Sequence, residues 1–327
     1  RETFASVMLR GVGRTLCDAF YFPYARKVWG VEPDELSAVQ ATKRLVARTP
    51  RALLAKVASA LPGFRDSTSR KFYYPRGGYG QIATALSNAA QQLGAEVLLG
   101  TKVNAVRLHD TGAEVEMLCD GQTNTVTVDY VWSTIPMKAL LGLLDPKPPA
   151  GVLAAADSLR TRAMVLGYLT LATDRFSEFD AHYFPEGRVA ISRLSEPKNY
   201  GLASSPFSTV LCAELPTDIG SEGWSAEDRD IQGIVIEAMR AAGLHIDSAI
   251  AGFTTRRIPY AYPIYDVGYE RSFDIVDDWM SGLARVVTFG RQGLYAHNNV
   301  HHVLEMAYAA AESLSPDGSF DRARWTH

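Results

Sequence analysis

Apolar residues at Ile82, Leu86, Ala89 and Leu93 share one helical face, so the pattern predicts a helix there, with Gly94 as its C-terminal cap. The period then changes to two. Glu96 to Leu99 and Val103 to Leu108 read as strands. Glu114 to Cys119 places Val115, Met117 and Cys119 on one side, and Val126, Val128 and Tyr130 alternate again. Asp110-Thr111-Gly112 and Asp120-Gly121 are turn signals between these runs. The chain then enters Val131-Trp132-Ser133-Thr134-Ile135-Pro136. The predicted order is helix, strand, three-stranded meander and return strand, with the meander an excursion from a larger sheet.

Upstream, Glu35 to Arg48 and Arg51 to Ala60 are predicted helices separated by Pro50. The cluster Phe20-Tyr21-Phe22-Pro23-Tyr24, followed by Lys27-Val28-Trp29-Gly30, has the density of a core or a domain interface. Downstream, Met164 to Leu171, Val189 to Ser192, Thr209 to Glu214 and Gly252 to Ile258 are predicted strands. Ser225, with Asp228 three residues later, resembles a helix start, and Ile231, Ile234, Val235 and Met239 carry that helix to Gly243. Pro259 to Tyr265 reads as an aromatic and proline loop. Ala284 to Phe289 is a buried strand by composition, broken by Gly290-Arg291-Gln292-Gly293. Asn298 and Asn299 can cap a last helix with the apolar stripe Val300, Val303, Leu304, Ala307, Ala310, Ala311 and Leu314.

Composition changes this picture little. The 327 residues suffice for about two domains. With 33 basic and 36 acidic side chains the net charge is −3, which excludes a dominant polyanion-binding role; no nucleic acid is expected. The longest apolar stretch, Ala163 to Thr173, is too short for a transmembrane segment. Three scattered cysteines, Cys17, Cys119 and Cys212, form neither a disulfide framework nor a zinc site, so a reducing, cytoplasmic setting and no metal are expected. The first residues, Arg1-Glu2-Thr3-Phe4, read as the middle of a longer protein.

The chemistry-bearing pattern is strand, glycine turn, helix. A helix start presents unpaired N–H groups and partial positive charge, and glycines let a ligand approach the backbone. Gly11-Val12-Gly13 begins like a dinucleotide fingerprint but has Leu16 where the third glycine belongs and no preceding apolar strand. Arg291 could meet a phosphate or simply lie at the surface. His297, His301 and His302 cluster near the last helix start, a placement commoner for surface histidines than for catalytic ones. Arg76 precedes a helix and could hold an acidic group. Tyr260, Tyr262 and Tyr265 could line a pocket or serve packing. Lys27 reads as structural, and Arg256 and Arg257 point to opposite faces of a strand. No nucleophile arrangement is visible, and the catalytic residues stay unknown.

Several segments together resemble the flavin-dependent amine oxidase superfamily, which includes protoporphyrinogen oxidase, phytoene desaturase and UDP-galactopyranose mutase. They are Tyr24 to Gly30, Tyr74 to Gly80, Gly94 to Val97 with Val103, Asp129 to Pro136, and Gly290 to Gly293 leading to Asn298-Asn299-Val300. Glu196 to Asn199 and Tyr260 to Pro263 point to the protoporphyrinogen-oxidase-like branch. The resemblance implies a mixed α/β fold of two domains, an FAD-binding Rossmann-like part lacking its first βαβ unit and a substrate domain. Residues 1–70 would be a helical part of the substrate domain and 71–145 part of the FAD domain. Residues 146–283 would bind substrate, 284–315 would return to the FAD domain, and 316–327 would be a tail.

In that scheme Val103 meets the adenine, and Ser133, Thr134 and Pro136 lie near the ribose and pyrophosphate. Gly290, Arg291 and Gly293 serve the pyrophosphate and ribityl chain. Asn299 and Val300 set the helix N-terminus at the flavin, and Arg76, Tyr260 and Tyr262 face a small-molecule substrate. The expected activity is FAD-dependent hydride removal from a C–N or C–C bond. The alternatives are a flavin-dependent sugar-nucleotide isomerase and a flavin-free binder of protein partners like the Rab GDP-dissociation inhibitors.

Overall fold

The computed structural model describes residues 2–42, 73–201 and 205–325. In chain order the helices and strands are α1 (Phe4–Val12), α2 (Phe22–Trp29), α3 (Ala38–Thr42), α4 (Gln81–Gln92), β1 (Lys102–His109), β2 (Gly112–Cys119), β3 (Gln122–Val128) and β4 (Val131–Ser133). Then come α5 (Met137–Leu143), β5 (Leu144–Asp145), α6 (Ala150–Ser158), β6 (Thr161–Leu171), β7 (Ala181–Tyr183), β8 (Arg193–Ser195) and β9 (Thr209–Thr217). The last are α7 (Asp228–Ala241), β10 (Ile250–Pro263), α8 (Tyr269–Ser281), β11 (Val286–Thr288) and α9 (Val300–Glu312). The architecture is mixed α/β, and the described residues form three sheets. No helix among the described residues is long and apolar enough to cross a membrane.

The chain divides into two compact units, Arg1–Val97 with Arg162–Ala261, and Leu98–Thr161 with Tyr262–His327. The first unit is built on the sheet β10-β6-β9-β8-β7. Its core joins Val165, Leu169 and Leu171 of β6 to Leu211, Ala213 and Leu215 of β9, closed by Ile231, Val235 and Met239 of α7. A second apolar centre gathers Phe4, Met8, Trp29 and Leu36, with the Phe4 and Trp29 rings edge-on at 5.8 Å. The aromatic run 20–24 is partly core, since Phe22 and Tyr24 are buried and Phe20 stacks on Tyr24.

Charged side chains tie this unit's loops together. The Lys27 ammonium donates to the carbonyls of Phe184, Glu186, Val189 and Ile191 at 2.5–3.3 Å. Burial pushes its pKa down to about 8. The buried Glu196 carboxylate accepts from the amides of Phe176 and Ser177 and from the Thr209 hydroxyl. Lys198 holds Asp174 and the carbonyls of Ser205 and Ser208. Loop carbonyls taken out of water need donors, and these side chains supply them.

The second unit holds the sheet β3-β2-β1-β5 and the parallel pair β11-β4. The hairpin at Asp120-Gly121 has positive φ at both residues (49° and 78°), the turn those residue types favour. Helix α8 packs on α6, with Ser158 and Ser272 hydroxyls 2.8 Å apart.

Several sequence expectations need correction. Glu96 to Leu99 is not a strand, because no described strand pairs with it. Val189 to Ser192 is irregular chain with bends at both ends, and the strand is Arg193–Ser195, set by its register with β9 and β7. Helix α7 starts at Asp228 with Glu227 as its N-cap, and Ser225 ends a short helix, Glu222–Ser225. Asp228 is drawn away from a capping role by Thr255, whose amide and hydroxyl it accepts. Pro259 to Pro263 is not loop but the end of β10. Gly290–Gly293 is a helical turn. Of the helix expected over Glu35 to Arg48, Ala38–Thr42 is present, and residues 43–48 and the helix at Arg51 to Ala60 lie outside the described residues.

Candidate cofactor site

The site lies within the second unit, where β4 and β11 run side by side. Val286, Val287 and Thr288 pair with Val131, Trp132 and Ser133. At the ends of both strands the chain turns. Phe289 donates to the Ser133 carbonyl, and the helical turn Gly290–Gly293 begins at once. Gly290 has φ +80°, and a Cβ there would lie 3.7 Å from the Thr134 side chain and 3.9 Å from Val303. A Cβ on Gly293 would stand 3.0 Å from the Ser133 carbonyl oxygen and 3.6 Å from the Thr134 Cα. The glycine turn is therefore pressed against 133–135, and the sequence spacing is explained by that approach.

The loop after the turn is fixed by two tyrosines. Tyr295, itself at φ 47°, donates its hydroxyl to the carbonyls of Arg160 and Ile264. Tyr265 donates to the Tyr295 carbonyl and accepts from the His297 amide. Burial pushes both phenols' pKa values up, so they stay neutral donors. Asn299 then caps α9 in a reciprocal box, its amide donating to Nδ1 of His302 at 3.2 Å. His302 is thereby a capping residue. His297 lies beside Tyr262, ring centres 5.2 Å apart.

Arg291 is carried on the glycine turn. Its guanidinium lies 5.3 Å from the Tyr262 ring centre and donates to the Asn298 carbonyl at 3.1 Å. Burial lowers its pKa, opposed by the Tyr262 and Tyr265 hydroxyls. Ser133 is buried, and its hydroxyl has no hydrogen-bond partner. An unpaired buried hydroxyl costs roughly 1–3 kcal/mol, so a ligand that pairs with it is favoured. A held cation, an unmatched hydroxyl, a close glycine turn and the N-terminal amides of α9 form a set of donors suited to a phosphate-bearing ligand.

Among the residues singled out from sequence, the structure brings together Ser133, Thr134, Gly290, Arg291 and Gly293, with Asn299, Val300 and Tyr262 flanking them in the same unit. Pro136 is the N-cap of α5, two residues past β4. Val103 lies in the other sheet of this unit, on β1, beside an irregularity between Val103 and Ala105. Arg76 and Tyr260 belong to the first unit, Arg76 exposed on the turn before α4 and Tyr260 half-buried on β10.

The sequence reading missed Tyr295 and Arg160, whose roles depend on a hydroxyl-to-carbonyl contact across 135 residues. It also missed the polar face of the first unit's sheet. There Arg193 pairs with Glu214, next to Cys212 and Tyr168, and burial pushes the Cys212 thiol up to about 11. Strand alternation could have found this face, since these residues stand opposite the core positions of β6, β8 and β9.

Comparison with known proteins bears on the fold and the family. A family model described as flavin containing amine oxidoreductase matches residues 4–218. The structure is similar to reduced UDP-galactopyranose mutase, with TM-score 0.72 and 18% identity over 95% of this chain and 66% of that one. It is also similar to a protein assigned as a protoporphyrinogen oxidase from Exiguobacterium sp. 255-15, with TM-score 0.64 and 16% identity over 89% of this chain and 62% of that one. The chain thus spans less than two thirds of the length of either matched structure. At such identities the likeness to the two structures is one of fold.

Proposed function

Since the chain belongs to the flavin containing amine oxidoreductases, we propose that it is part of an FAD-dependent oxidoreductase that removes hydride from a C–N or C–C bond of a small or medium organic substrate. The observation that carries this reading is the glycine turn between β11 and α9, with Arg291 held over Tyr262 and the buried Ser133 hydroxyl unmatched at the end of β4.

These residues fit a dinucleotide. Gly290 and Gly293 let the turn close against 133–135, Ser133 supplies a hydroxyl and Arg291 a cation. The N-terminus of α9, at Asn299 and Val300, would face the flavin, where its partial positive charge favours negative charge on the ring system. The flavin, when bound, supplies the two-electron chemistry. Tyr265 and Tyr295 keep the loop between Arg291 and α9 in one geometry, so that both donors stay in place. Substrate selection falls to the first unit, where Tyr260 and the sheet face of Tyr168, Cys212 and the Arg193–Glu214 pair offer aromatic and charged contacts.

The test is the visible spectrum of the purified full-length protein, before and after incubation with FAD. A flavin spectrum lost in an Arg291→Ala, Ser133→Ala double variant supports the reading. A colourless protein that cannot be reconstituted favours the flavin-free binder. The similarity to a mutase keeps a second reading, flavin-dependent isomerisation of a sugar nucleotide. Turnover of a nucleotide sugar with reduced flavin and no electron acceptor would favour it.

A further inference from the structure

The loop between β7 and β8 turns four of its carbonyls to one point. Lys27 Nζ, reaching from α2, lies 2.5 Å from the Phe184 oxygen, 2.7 Å from those of Glu186 and Val189, and 3.3 Å from that of Ile191. An ammonium has three N–H donors, so four oxygens around it answer to its charge as well as to its protons. The loop's amides are engaged elsewhere. Phe184 donates to the Ser192 carbonyl, Val189 to the Glu186 carbonyl and Ser192 to the Glu214 carbonyl. Pro185 has no N–H to donate. The loop's own pairing thus leaves these oxygens turned inward, and Phe184, Val189 and Ile191 are buried.

The shell fixes the class of ion. Every hydrogen bond that Lys27 makes goes to a neutral carbonyl, and the Glu186 carboxylate acts on it by charge alone. Divalent ions take carboxylates and tighter shells, about 2.0–2.1 Å for magnesium and about 2.3–2.6 Å for calcium. A cage of neutral carbonyls at longer range suits a singly charged ion that exchanges its water shell for them. The place of the cage also has a consequence. It stands between Tyr183, which ends β7, and Arg193, which begins β8, and these two residues pair across the hairpin. On α2, Tyr24 lies edge-on to Tyr183 with ring centres 6.1 Å apart. A cation held here ties α2 to the hairpin that carries Arg193, all within the first unit.

We propose that the carbonyls of Phe184, Glu186, Val189 and Ile191 form a monovalent-cation site, filled in this chain by the Lys27 ammonium, which a free potassium or ammonium ion takes when that side chain is removed. Lys27 is then a positioning residue, setting Tyr183 and Arg193 by the ion it supplies from α2. The inference goes beyond the flavin reading and does not depend on it.

The experiment compares full-length Lys27→Ala with wild type at pH 7, in sodium, potassium and ammonium chloride of one ionic strength. In sodium, amide exchange over 184–192 should quicken by roughly tenfold or more in the variant, with β6 and α7 unchanged. Potassium or ammonium should restore most of that loss in a saturable way and leave wild type as it was. In crystals grown with rubidium, an anomalous peak is expected among the four carbonyls of the variant and not in wild type. Lys27→Met fills the cage with an apolar stem and should exchange fast in every salt. No restoration, an equal response to sodium, or restoration of Lys27→Met as well would overturn the proposal. Wild type gives a reading that needs no variant to fold. A caged ammonium holds its protons, so 15N-labelled protein should show a slowly exchanging Lys27 NH3 signal at pH 7. A Lys27 ammonium that exchanges as fast as an exposed lysine would overturn the cage itself.

Discussion

Two glycines three residues apart should fail for different reasons, and the order of their variants tests the site geometry. Gly290 has φ +80° but room for a Cβ, with no neighbour nearer than 3.7 Å. Gly290→Ala therefore costs backbone strain, about 1–2 kcal/mol, and Gly290→Asn costs less, because asparagine tolerates the left-handed region. Gly293 is the reverse. Its Cβ would stand 3.0 Å from the Ser133 carbonyl oxygen, 3.6 Å from the Thr134 Cα and 3.8 Å from the Ile135 carbonyl oxygen. These are backbone atoms and cannot swing aside, so Gly293→Ala costs about 1–3 kcal/mol by overpacking. Gly293→Asn should cost more than Gly293→Ala, since it adds atoms at a closed contact. The assay is hydrogen exchange at β11 and α9, read as local stability against the unsubstituted chain. If asparagine is the worse substitution at both positions, or the better at both, the assignment of strain to Gly290 and crowding to Gly293 is refuted.

The remaining expectations concern the ties that hold each unit. Tyr295→Phe removes a hydroxyl shared by the Arg160 and Ile264 carbonyls and should cost about 1–3 kcal/mol, seen as faster exchange over 294–298. Glu196→Gln weakens three short hydrogen bonds and leaves a misplaced NH2 group among amide donors. A loss of about 2–3 kcal/mol in urea unfolding of the first unit is expected, and an unchanged midpoint would contradict it. Lys27 gives a pH test. Its pKa falls from the ordinary 10.5 to about 8 on folding, so the folded chain releases that proton first. Its contribution to stability is complete above the unfolded pKa and is lost as pH falls through about 8. The stability difference between wild type and Lys27→Met should grow from pH 8 to pH 10.5, and a flat difference would count against this.

The meander was legible because its signals are local. Strand alternation, Asp120-Gly121 and Asp110-Thr111-Gly112 fix three strands within a few residues of one another. The last helix was legible for the same reason, with Asn299 before an apolar stripe. What could not be read depends on partners far along the chain. Val189 to Ser192 is as apolar as a strand, but the ladder with β9 is taken up by Arg193 to Ser195. Residues 96–99 have strand composition and no described strand to pair with. Ser225 resembles a cap, yet Asp228 is claimed by Thr255, 27 residues away.

The same distinction separates tied charges from usable ones. Lys27, Lys198 and Glu196 are each enclosed by three or more backbone or hydroxyl partners, and a side chain so occupied has no capacity left for a ligand. Tyr265 and Tyr295 are used up in the same way, and burial keeps them protonated. Around the glycine turn lie the Ser133 hydroxyl, the Arg291 guanidinium, which donates to the Asn298 carbonyl, and the first-turn amides of α9. All of these donate hydrogen bonds. A set of donors can hold and polarise a negatively charged group. The residues gathered at the turn are therefore suited to positioning a cofactor that brings its own reactivity. A variant lacking both Arg291 and Ser133 should accordingly lose cofactor affinity, with no new pH dependence in whatever activity remains. A shifted pH profile in that variant would show that one of the two acts in proton transfer.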